Sequence, residues 1–459
     1  MLKDRAGSST GKHTASLRRL AKAIKGEIIV PGDQRYDSMR RVWNHDIDLR
    51  PAAITVCMSD EDVIRSVEFA RTENLIPAVR SGGHSFAGHG VCNGGIVINL
   101  SSMKRSQLDV PACHIRLEPG IRAGELDQMV QAFGLAVPLG SCPMVGVAGF
   151  ALGGGAGSLT TKYGFACDSI TRARVVTADC TILEASDVEN RELFWALRGG
   201  GGNFGIVVSL DFQLTAISVV LAGHLTYPIS ESGKVLRFID EYVEAIPDDL
   251  YIVVSVLPRP GERMIDVGVV WTGQPTDGYH VLRPLREFLK PITDSIRLKS
   301  YLEEQQSGSD SPGDGDWASY RRAGHIPSLL SGASEVIVQH AAAGPTESCG
   351  ISMIYWHGKW CSGEFDNSFA FRRVGFEYWV HSYWQDPSDR EKSYLWVNRF
   401  HEALQPYTSG AVYVNDLGNE SRERVRQAYD GKYKKLTVIK RRYDPTNFFR
   451  LNQNIEPET

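Results

Sequence analysis

The chain has 459 residues, of which 42% are hydrophobic and 23% are charged. This composition is typical of a globular protein with large hydrophobic cores, and it excludes a chain that is disordered throughout. The formal net charge of −4 excludes the strongly basic surface on which nucleic-acid binding depends. We therefore expect no nucleic-acid partner, and the length predicts two domains.

Targeting segments are not indicated by the sequence. Residues 1–26 mix lysine and arginine with small polar residues and lack the apolar run of a secretion signal. No uninterrupted apolar stretch reaches the about 18 residues that a membrane-spanning helix needs. We expect a cytoplasmic protein, either a monomer or a homodimer, with no membrane partner.

Eight cysteines are scattered along the chain without any Cys-x-x-Cys pair. A chain of this length needs no disulfides for stability, so most of these cysteines are expected to be buried thiols. No group of His, Cys and carboxylate residues has the spacing of metal ligands, and we expect no metal site.

Strands and helices alternate through the first half of the chain, which indicates an α+β fold. Hydrophobic spacing predicts strands at residues 54–57, 76–79, 96–100, 172–177 and 205–212, and helices at residues 59–73, 125–133 and 192–197. Ser59 is the expected N-cap of the first of these helices. Glycine clusters become rare after residue 212, so a boundary is predicted near residue 213.

Two features of the second half bear on a site. Residues 304–317 are rich in serine, glycine and aspartate and predict an exposed loop. Residues 376–384 alternate as a strand does, with Glu377, Trp379, His381 and Tyr383 on one face. Tyr378, Val380, Ser382 and Trp384 lie on the other face. Such a strand could form the floor of a ligand pocket.

A glycine-containing turn follows the strand predicted at residues 76–79. It consists of Arg80, Ser81, Gly82, Gly83, His84, Ser85, Phe86, Ala87 and Gly88. Because glycine has no Cβ, the backbone N–H groups of such a turn can converge on phosphate oxygens. The turn predicts a diphosphate cradle, although an ordinary structural corner has the same pattern.

A second cluster, residues 140–157, holds seven glycines and begins around Cys142. Apolar side chains such as Val145, Val147, Phe150 and Leu152 alternate with these glycines, and they are unfavourable in water. The cluster is therefore expected to be packed backbone and not a flexible linker.

At these two clusters the sequence resembles the vanillyl-alcohol-oxidase and para-cresol-methylhydroxylase superfamily of FAD enzymes, in particular its berberine-bridge-enzyme-like branch. Four ordered motifs carry the resemblance: residues 80–88, 142–164, 192–205 and 442–454. It implies a two-subdomain FAD-binding domain at residues 1–212, whose first 25 residues or so form an extension. Residues 406–459 return to that domain. Residues 213–405 would form a substrate domain with an antiparallel sheet covered by helices.

The resemblance also implies roles for individual residues. The histidine that matches His84 bonds the flavin 8α carbon, and the cysteine that matches Cys142 bonds flavin C6. Val145 matches a position that gates oxygen access, where valine is typical of oxidases. The other residues expected to contact the cofactor are Arg80, Ser81, Gly82, Gly83, Ser85, Gly88, Pro143, Gly146, Val147, Gly149, Gly153, Gly154 and Gly157.

The cofactor contacts continue in two later segments. Residues 200–205 match the G-x-G-x-x-G pattern, but they follow a predicted helix and precede a strand, so a Rossmann site is excluded. The resemblance instead implies that Gly205, Ile206 and Val207 lie beside the adenine end of FAD. Asn452 and Asn454 of the C-terminal segment would bring amide groups to the flavin.

One position departs from the family. Many relatives have a catalytic tyrosine in an Asn-Tyr-x-Asp motif, whereas here Asp416 follows Asn415. Asp416 could take the substrate proton, or His381 or Tyr383 could do so from the strand at residues 376–384. An exposed turn aspartate is the alternative for Asp416. Amine oxidation would need no base.

The sequence therefore predicts an FAD-linked oxidase that transfers hydride from a small-molecule alcohol or sugar hydroxyl carbon and uses O2 as acceptor, giving hydrogen peroxide. An amine oxidase resembling the hydroxynicotine oxidases is one alternative. A cyclase that retains its flavin without net oxidation is another.

Overall fold

The computed structural model describes residues 10–259, 262–307, 317–361 and 365–458. Its helices and sheets agree with the predicted α+β class. Three sheets of four, five and eight strands make up most of it.

The first sheet carries the glycine turn that begins at Arg80. Its elements are α1 Thr10–Ala23, β1 Glu27–Ile29, α2 Tyr36–Arg40, β2 Ala53–Val56, α3 Asp60–Thr72, β3 Pro77–Arg80 and β4 Ile96–Asn99. The strand order is β1-β2-β4-β3, with β4 parallel to both β2 and β3. The Ser59 side chain accepts a hydrogen bond from the N–H of Asp62, which confirms the predicted N-cap of α3.

The second sheet is antiparallel and carries the glycine cluster on its connections. Its elements are β5 Ser106–Asp109, β6 His114–Leu117, α4 Ala123–Gln131, β7 Leu135–Ala136, α5 Val147–Leu152, α6 Thr160–Tyr163, β8 Ile170–Val176, β9 Ile182–Ser186, α7 Arg191–Gly200, β10 Ile206–Gln213 and β11 Thr215–Ala216. The order is β5-β6-β10-β8-β9, and β7 pairs with β11.

The third sheet is antiparallel and has eight strands. Its elements are β12 Val219–Pro228, α8 Ser232–Tyr242, β13 Leu250–Arg259, β14 Glu262–Trp271, α9 Pro275–Phe288, β15 Thr293–Asp294, β16 Arg297–Ser300, α10 Tyr301–Ser307, β17 Ala318–Ile326, α11 Ala333–Ala342, β18 Cys349–Trp356, β19 Gly375–Trp384 and α12 Arg390–Leu404. Its order is β15-β12-β14-β13-β18-β19-β17, with β16 also on β12.

Helices cover one face of this third sheet. Side chains of α8, α9, α11 and α12 pack with alternate strand residues in one hydrophobic core. Tyr378 and Val380 of β19 point into that core. The predicted strand at residues 376–384 is confirmed, and the opposite face of the sheet is left for the cavity described below.

The exposed loop predicted at residues 304–317 is wrong in its first part. Helix α10 continues to Ser307, because Tyr301 and Gln305 are buried and anchor it. Residues 308–316 lie outside the described residues.

The C-terminal segment packs against the second sheet. Its helices are α13 Arg422–Tyr429 and α14 Tyr433–Tyr443. Val412, Tyr413, Leu436 and Ile455 belong to the same hydrophobic core as β6, β8 and β10.

Candidate active site

A cavity of about 540 Å³ lies between the two N-terminal sheets and the third sheet. Its size is within the range of small-molecule and cofactor sites. The predicted site residues that line it are Arg80, Ser81, Gly82, Gly83, His84, Ser85, Cys142, Val145, Gly146, Gly149, Gly153, Gly157, Gly205, Ile206, Val207, Tyr383, Asp416 and Asn452. Residues from all four sequence motifs thus meet at one cavity.

The two glycine clusters touch each other on the cavity wall. A Cβ placed on Gly82 would lie 2.3 Å from the backbone nitrogen of Gly146, and a Cβ on Gly146 would lie 2.2 Å from Ser81 Oγ. Only residues without a side chain allow this approach. The two glycines therefore let the two turns approach each other. This approach brings His84, which follows Gly82, close to Cys142, which precedes Gly146.

Other glycines leave room in the cavity. Apart from the adjoining residues and the backbone of the same helix, no described atom lies within 4 Å of the Cβ position of Gly149, Gly201 or Gly202, and all three residues line the cavity. Side chains at these positions would occupy the space that a cofactor needs. This open backbone fits a bulky dinucleotide such as FAD.

His84 and Cys142 lie side by side on the wall, with 3.7 Å between Nε2 and Sγ. Burial, followed by the charges of Arg321 and Arg122, lowers the pKa of His84 to about 4. The imidazole is therefore neutral at pH 7, and a ring nitrogen keeps the lone pair that a nucleophile needs. Val145 lines the same stretch of wall, and its N–H donates to the Cys142 carbonyl oxygen.

The third sheet forms the opposite wall. Glu377, Trp379 and Tyr383 of β19 line the cavity, as do Tyr251 and Val253 of β13. Strand alternation explains this arrangement, because their neighbours along each strand point to the helix-covered core. The alternating face predicted for residues 376–384 therefore does form part of a pocket.

His381 is on the same face of β19 but does not line the cavity. It is only 2% exposed, and burial together with the Arg321 charge lowers its pKa to about 3. The sequence alternation could not reveal that Arg321 of β17, which pairs with His381 in register, lines the cavity instead.

Asp416 is buried and is not the exposed turn residue of the alternative interpretation. Its carboxylate forms an ion pair with the guanidinium of Arg321. Burial, and then the neighbouring Asp416 carboxylate, raises the pKa of Glu377 well above its ordinary value. Trp356 Nε1 donates to Glu377 Oε2 at 2.7 Å. The cavity therefore brings two carboxyl groups and a guanidinium together, and the raised pKa of Glu377 favours its protonated form.

The C-terminal segment closes the end of the cavity near β10. Lys440 donates to the carbonyl oxygens of Asn203 and Phe449 and to Asp444 Oδ2, and both charged side chains are fully buried. Asn203 and Phe449 line the cavity. Within the described chain, Asn452 Oδ1 is buried without a hydrogen-bond partner, as expected of a group that awaits a ligand.

Five other predicted cofactor contacts lie outside this wall. Gly88 has a φ of +75° and packs on Ile47, Pro143 contacts Gly124, Val147 is in the hydrophobic core, and Gly154 packs on Phe369 and Tyr413. Asn454 lines a second cavity of about 340 Å³ beside the first. The first four of these residues pack within the turns and the core, and Asn454 faces the adjacent cavity.

Some residues that shape the site are not indicated by any sequence motif. Tyr413 Oη accepts hydrogen bonds from the Gly155 N–H and from Asn415 Nδ2, both at 2.7 Å, and so holds the second glycine cluster. Tyr413 and Asn415 lie just before Asp416, the position where many relatives have a tyrosine, and this proximity is the signal that could have identified them. Trp43, whose ring stacks on His84 with the centroids 4.4 Å apart, and Arg321, which lines the cavity, had no motif around them.

Among the described residues, no group of three His, Cys, Asp or Glu side chains could hold a metal ion. Over the same part of the chain, the helices are too short or too polar to cross a membrane.

Comparison with known proteins agrees with this site. The family described as "FAD binding domain" matches residues 51–186, and the family "Berberine and berberine like" matches residues 412–456. (R)-6-hydroxynicotine oxidase of Paenarthrobacter nicotinovorans is 31% identical over 95% of this chain and 98% of its own. Xylooligosaccharide oxidase of Thermothelomyces thermophilus is 34% identical over 50% of this chain and 48% of its own.

The fold comparison gives the same result. The crystal structure of 6-hydroxy-D-nicotine oxidase from Arthrobacter nicotinovorans superimposes with a TM-score of 0.87 at 30% identity, covering 95% of this chain and 98% of that one. The cavity, its open glycines and its unpartnered amide oxygen fit FAD. The chain belongs to the berberine-bridge-enzyme-like family of FAD-linked oxidoreductases.

Proposed function

We propose that this enzyme holds FAD through two covalent bonds, to His84 and to Cys142, and oxidises an alcohol-type carbon at the expense of O2. The observation that carries the proposal is the 3.7 Å separation of His84 Nε2 and Cys142 Sγ on the cavity wall. Two nucleophiles from separate turns meet there, and a neutral imidazole is one of them. When bound, FAD supplies a two-electron acceptor that takes hydride and returns the electrons to O2 as hydrogen peroxide.

Proton removal from the substrate hydroxyl falls to the carboxylates of the cavity. Asp416 is the acceptor in this proposal, because it lines the cavity where relatives have a tyrosine. Arg321 holds the Asp416 carboxylate in place through its ion pair. The raised pKa of Glu377 favours its protonated form, and a protonated carboxyl can donate a hydrogen bond to a substrate oxygen. Tyr383 is the alternative acceptor, since it lines the same wall.

The acceptor side of the proposal concerns O2. Val145 lies on the wall beside Cys142, at the position where valine is typical of oxidases. A small β-branched side chain leaves more room for a diatomic molecule than leucine does. Both named relatives are oxidases, which supports the same choice.

The substrate class is proposed to be an uncharged hydroxylated molecule, such as a sugar or a secondary metabolite. Arg321 compensates the charge of Asp416, and the raised pKa of Glu377 favours its neutral form, so these two carboxyl groups leave no uncompensated negative charge for a substrate ammonium. The xylooligosaccharide oxidase is the relative that supports this class. Amine oxidation is the second candidate, favoured by the full-length similarity to (R)-6-hydroxynicotine oxidase.

A panel of sugars, alcohols and cyclic amines, with peroxide detection in air, tests the proposal. We expect peroxide with hydroxylated members and bleaching of the flavin absorbance when the same compounds are added without O2. Peroxide only with amines would transfer the proposal to the second candidate. Product formation without any bleaching would refute net oxidation.

A further inference from the structure

Trp43 lies flat against His84. The ring centroids are 4.4 Å apart and the ring planes differ by 23°. The indole also makes two edge-on ring contacts, with centroid distances of 5.6 Å to Phe86 and 6.2 Å to Tyr383. The indole therefore covers one face of the imidazole and also reaches the substrate-side wall.

Residues 43–47, here called the strap, are fixed to the His84 turn at their start. The Trp43 N–H donates to the Gly83 carbonyl oxygen at 3.0 Å. Just before the strap, the Arg80 guanidinium donates to the carbonyl oxygens of Met39 and Arg41. The backbone that carries Trp43 is thus tied to the turn that carries His84.

The strap is fixed to the third sheet on its other side. Asn44 Nδ2 donates to the Ser319 carbonyl oxygen, and the Ser319 N–H donates to Asn44 Oδ1, both at 2.9 Å. The His45 N–H donates to the Trp317 carbonyl oxygen at 3.0 Å. Asp46 accepts from Arg390 and from Tyr394 of α12, each at 2.7 Å. Elements distant in sequence therefore hold Trp43 in one place.

We propose that Trp43 is a positioning residue for cofactor attachment, whose indole fixes the plane of the His84 ring so that a ring nitrogen meets the flavin methyl carbon. This inference rests on the proposed His84 bond. In that bond-forming step His84 loses its ring proton and the methyl carbon loses one hydrogen as the N–C bond forms. The two electrons released reduce O2, so hydrogen peroxide is the other product.

The size of the effect follows from the stacked pair. Aromatic pairs of this kind favour one ring orientation enough to change its population about 2- to 13-fold. Attachment requires the reacting atoms to be aligned, so its rate falls in proportion to the aligned population. Loss of the indole is therefore expected to slow attachment by about the same factor.

The test uses purified protein in a Cys142→Ala background, where His84 is the remaining proposed link. Trp43→Leu removes the stack, Trp43→Phe keeps an aromatic ring, and Asn44→Ala removes the side-chain bonds to Ser319. Trp317→Leu is the matched control, because it removes an indole beside the strap but keeps the carbonyl that binds His45. Each protein is incubated with FAD, and the covalent fraction is followed over time by intact mass after acid denaturation.

We expect Trp43→Leu to slow the rise of the covalent fraction about 2- to 13-fold, Asn44→Ala to slow it less, and both Trp43→Phe and Trp317→Leu to stay near the Cys142→Ala rate. Equal rates for Trp43→Leu and Trp317→Leu would overturn the role of Trp43. If Trp43→Leu does not fold, a Trp43→Phe rate no faster than that of Asn44→Ala would overturn it too. Release of all FAD from Cys142→Ala itself would instead refute the His84 bond of the proposed function.

Discussion

Lys440 holds the C-terminal segment against the wall of the FAD cavity, and we expect its replacement by methionine to destabilise both. The Lys440 and Asp444 side chains are fully buried and 2.7 Å apart. The ammonium also donates to the carbonyl oxygens of Asn203 and Phe449, at 2.6 and 2.9 Å. Asp444 in turn accepts from the N–H groups of Phe448 and Phe449.

The expected loss of free energy of unfolding follows from the buried groups that Lys440→Met leaves without a partner. Breaking a buried ion pair by removing one partner costs about 3–5 kcal/mol, because the other charge stays buried without compensation. Two carbonyl oxygens lose their donor as well, and both belong to residues of the cavity wall. We therefore expect a loss of about 3–5 kcal/mol in the free energy of unfolding and a lower FAD content.

Urea unfolding followed by tryptophan and flavin fluorescence measures this loss. Lys434→Met is the matched control, because Lys434 is exposed on the same helix, and its change should stay within about 0.5 kcal/mol. Lys440→Met with Asp444→Asn should recover part of the stability, since no isolated charge remains. A Lys440→Met protein within about 1 kcal/mol of the wild type would refute the reasoning.

Three further predictions concern the cavity, the proton acceptor and acid stability. Gly149→Leu adds a side chain in the cavity, at a position that no described atom beyond its own helix and neighbours approaches within 4 Å, so FAD content should fall. Gly233→Leu, at another helical glycine with open space around it, should retain FAD. Equal FAD content in the two variants would contradict the cavity assignment. Asp416→Asn should slow anaerobic flavin reduction by about 10²–10⁴-fold, and Glu377→Gln should slow it less. A larger effect of Glu377→Gln would instead make Glu377 the acceptor of the substrate proton. Burial lowers the pKa of His325 to about 4 and of His381 and His401 to about 3. The unfolded pKa of each histidine is higher, about 6.5, so the stability that these histidines contribute is present above about pH 6.5 and is lost as pH falls, by about 3 kcal/mol each near pH 4.5. A thermal unfolding midpoint that rises as the pH is lowered from 7.5 to 4.5 would contradict this expected loss of stability.

The local elements and the two glycine turns that line the cavity could be predicted because their causes are local. Hydrophobic alternation assigns the two faces of β19, and glycine density identifies the turns around His84 and Cys142. The helix at α10 was missed because the turn-forming residues after it dominate the local composition, whereas burial of Tyr301 and Gln305 stabilises the helix.

The remaining contacts depend on tertiary packing. The Arg321 side chain comes from a strand of the third sheet, and its ion pair with Asp416 arises only when the C-terminal segment packs against that sheet. The same is true of Trp43, which reaches His84 from a loop between α2 and β2. No local pattern could show that His381 is buried beside Arg321 and that Arg321 lines the cavity in its place.

FAD is proposed to be bonded to both His84 and Cys142, and intact-mass analysis after acid denaturation distinguishes two bonds from one or none. The wild type, His84→Ala, Cys142→Ala and the double variant are compared. We expect the mass of FAD to stay on the wild type and on each single variant and to be absent from the double variant. A wild-type chain without the added mass, or a double variant that keeps it, would contradict the two proposed bonds.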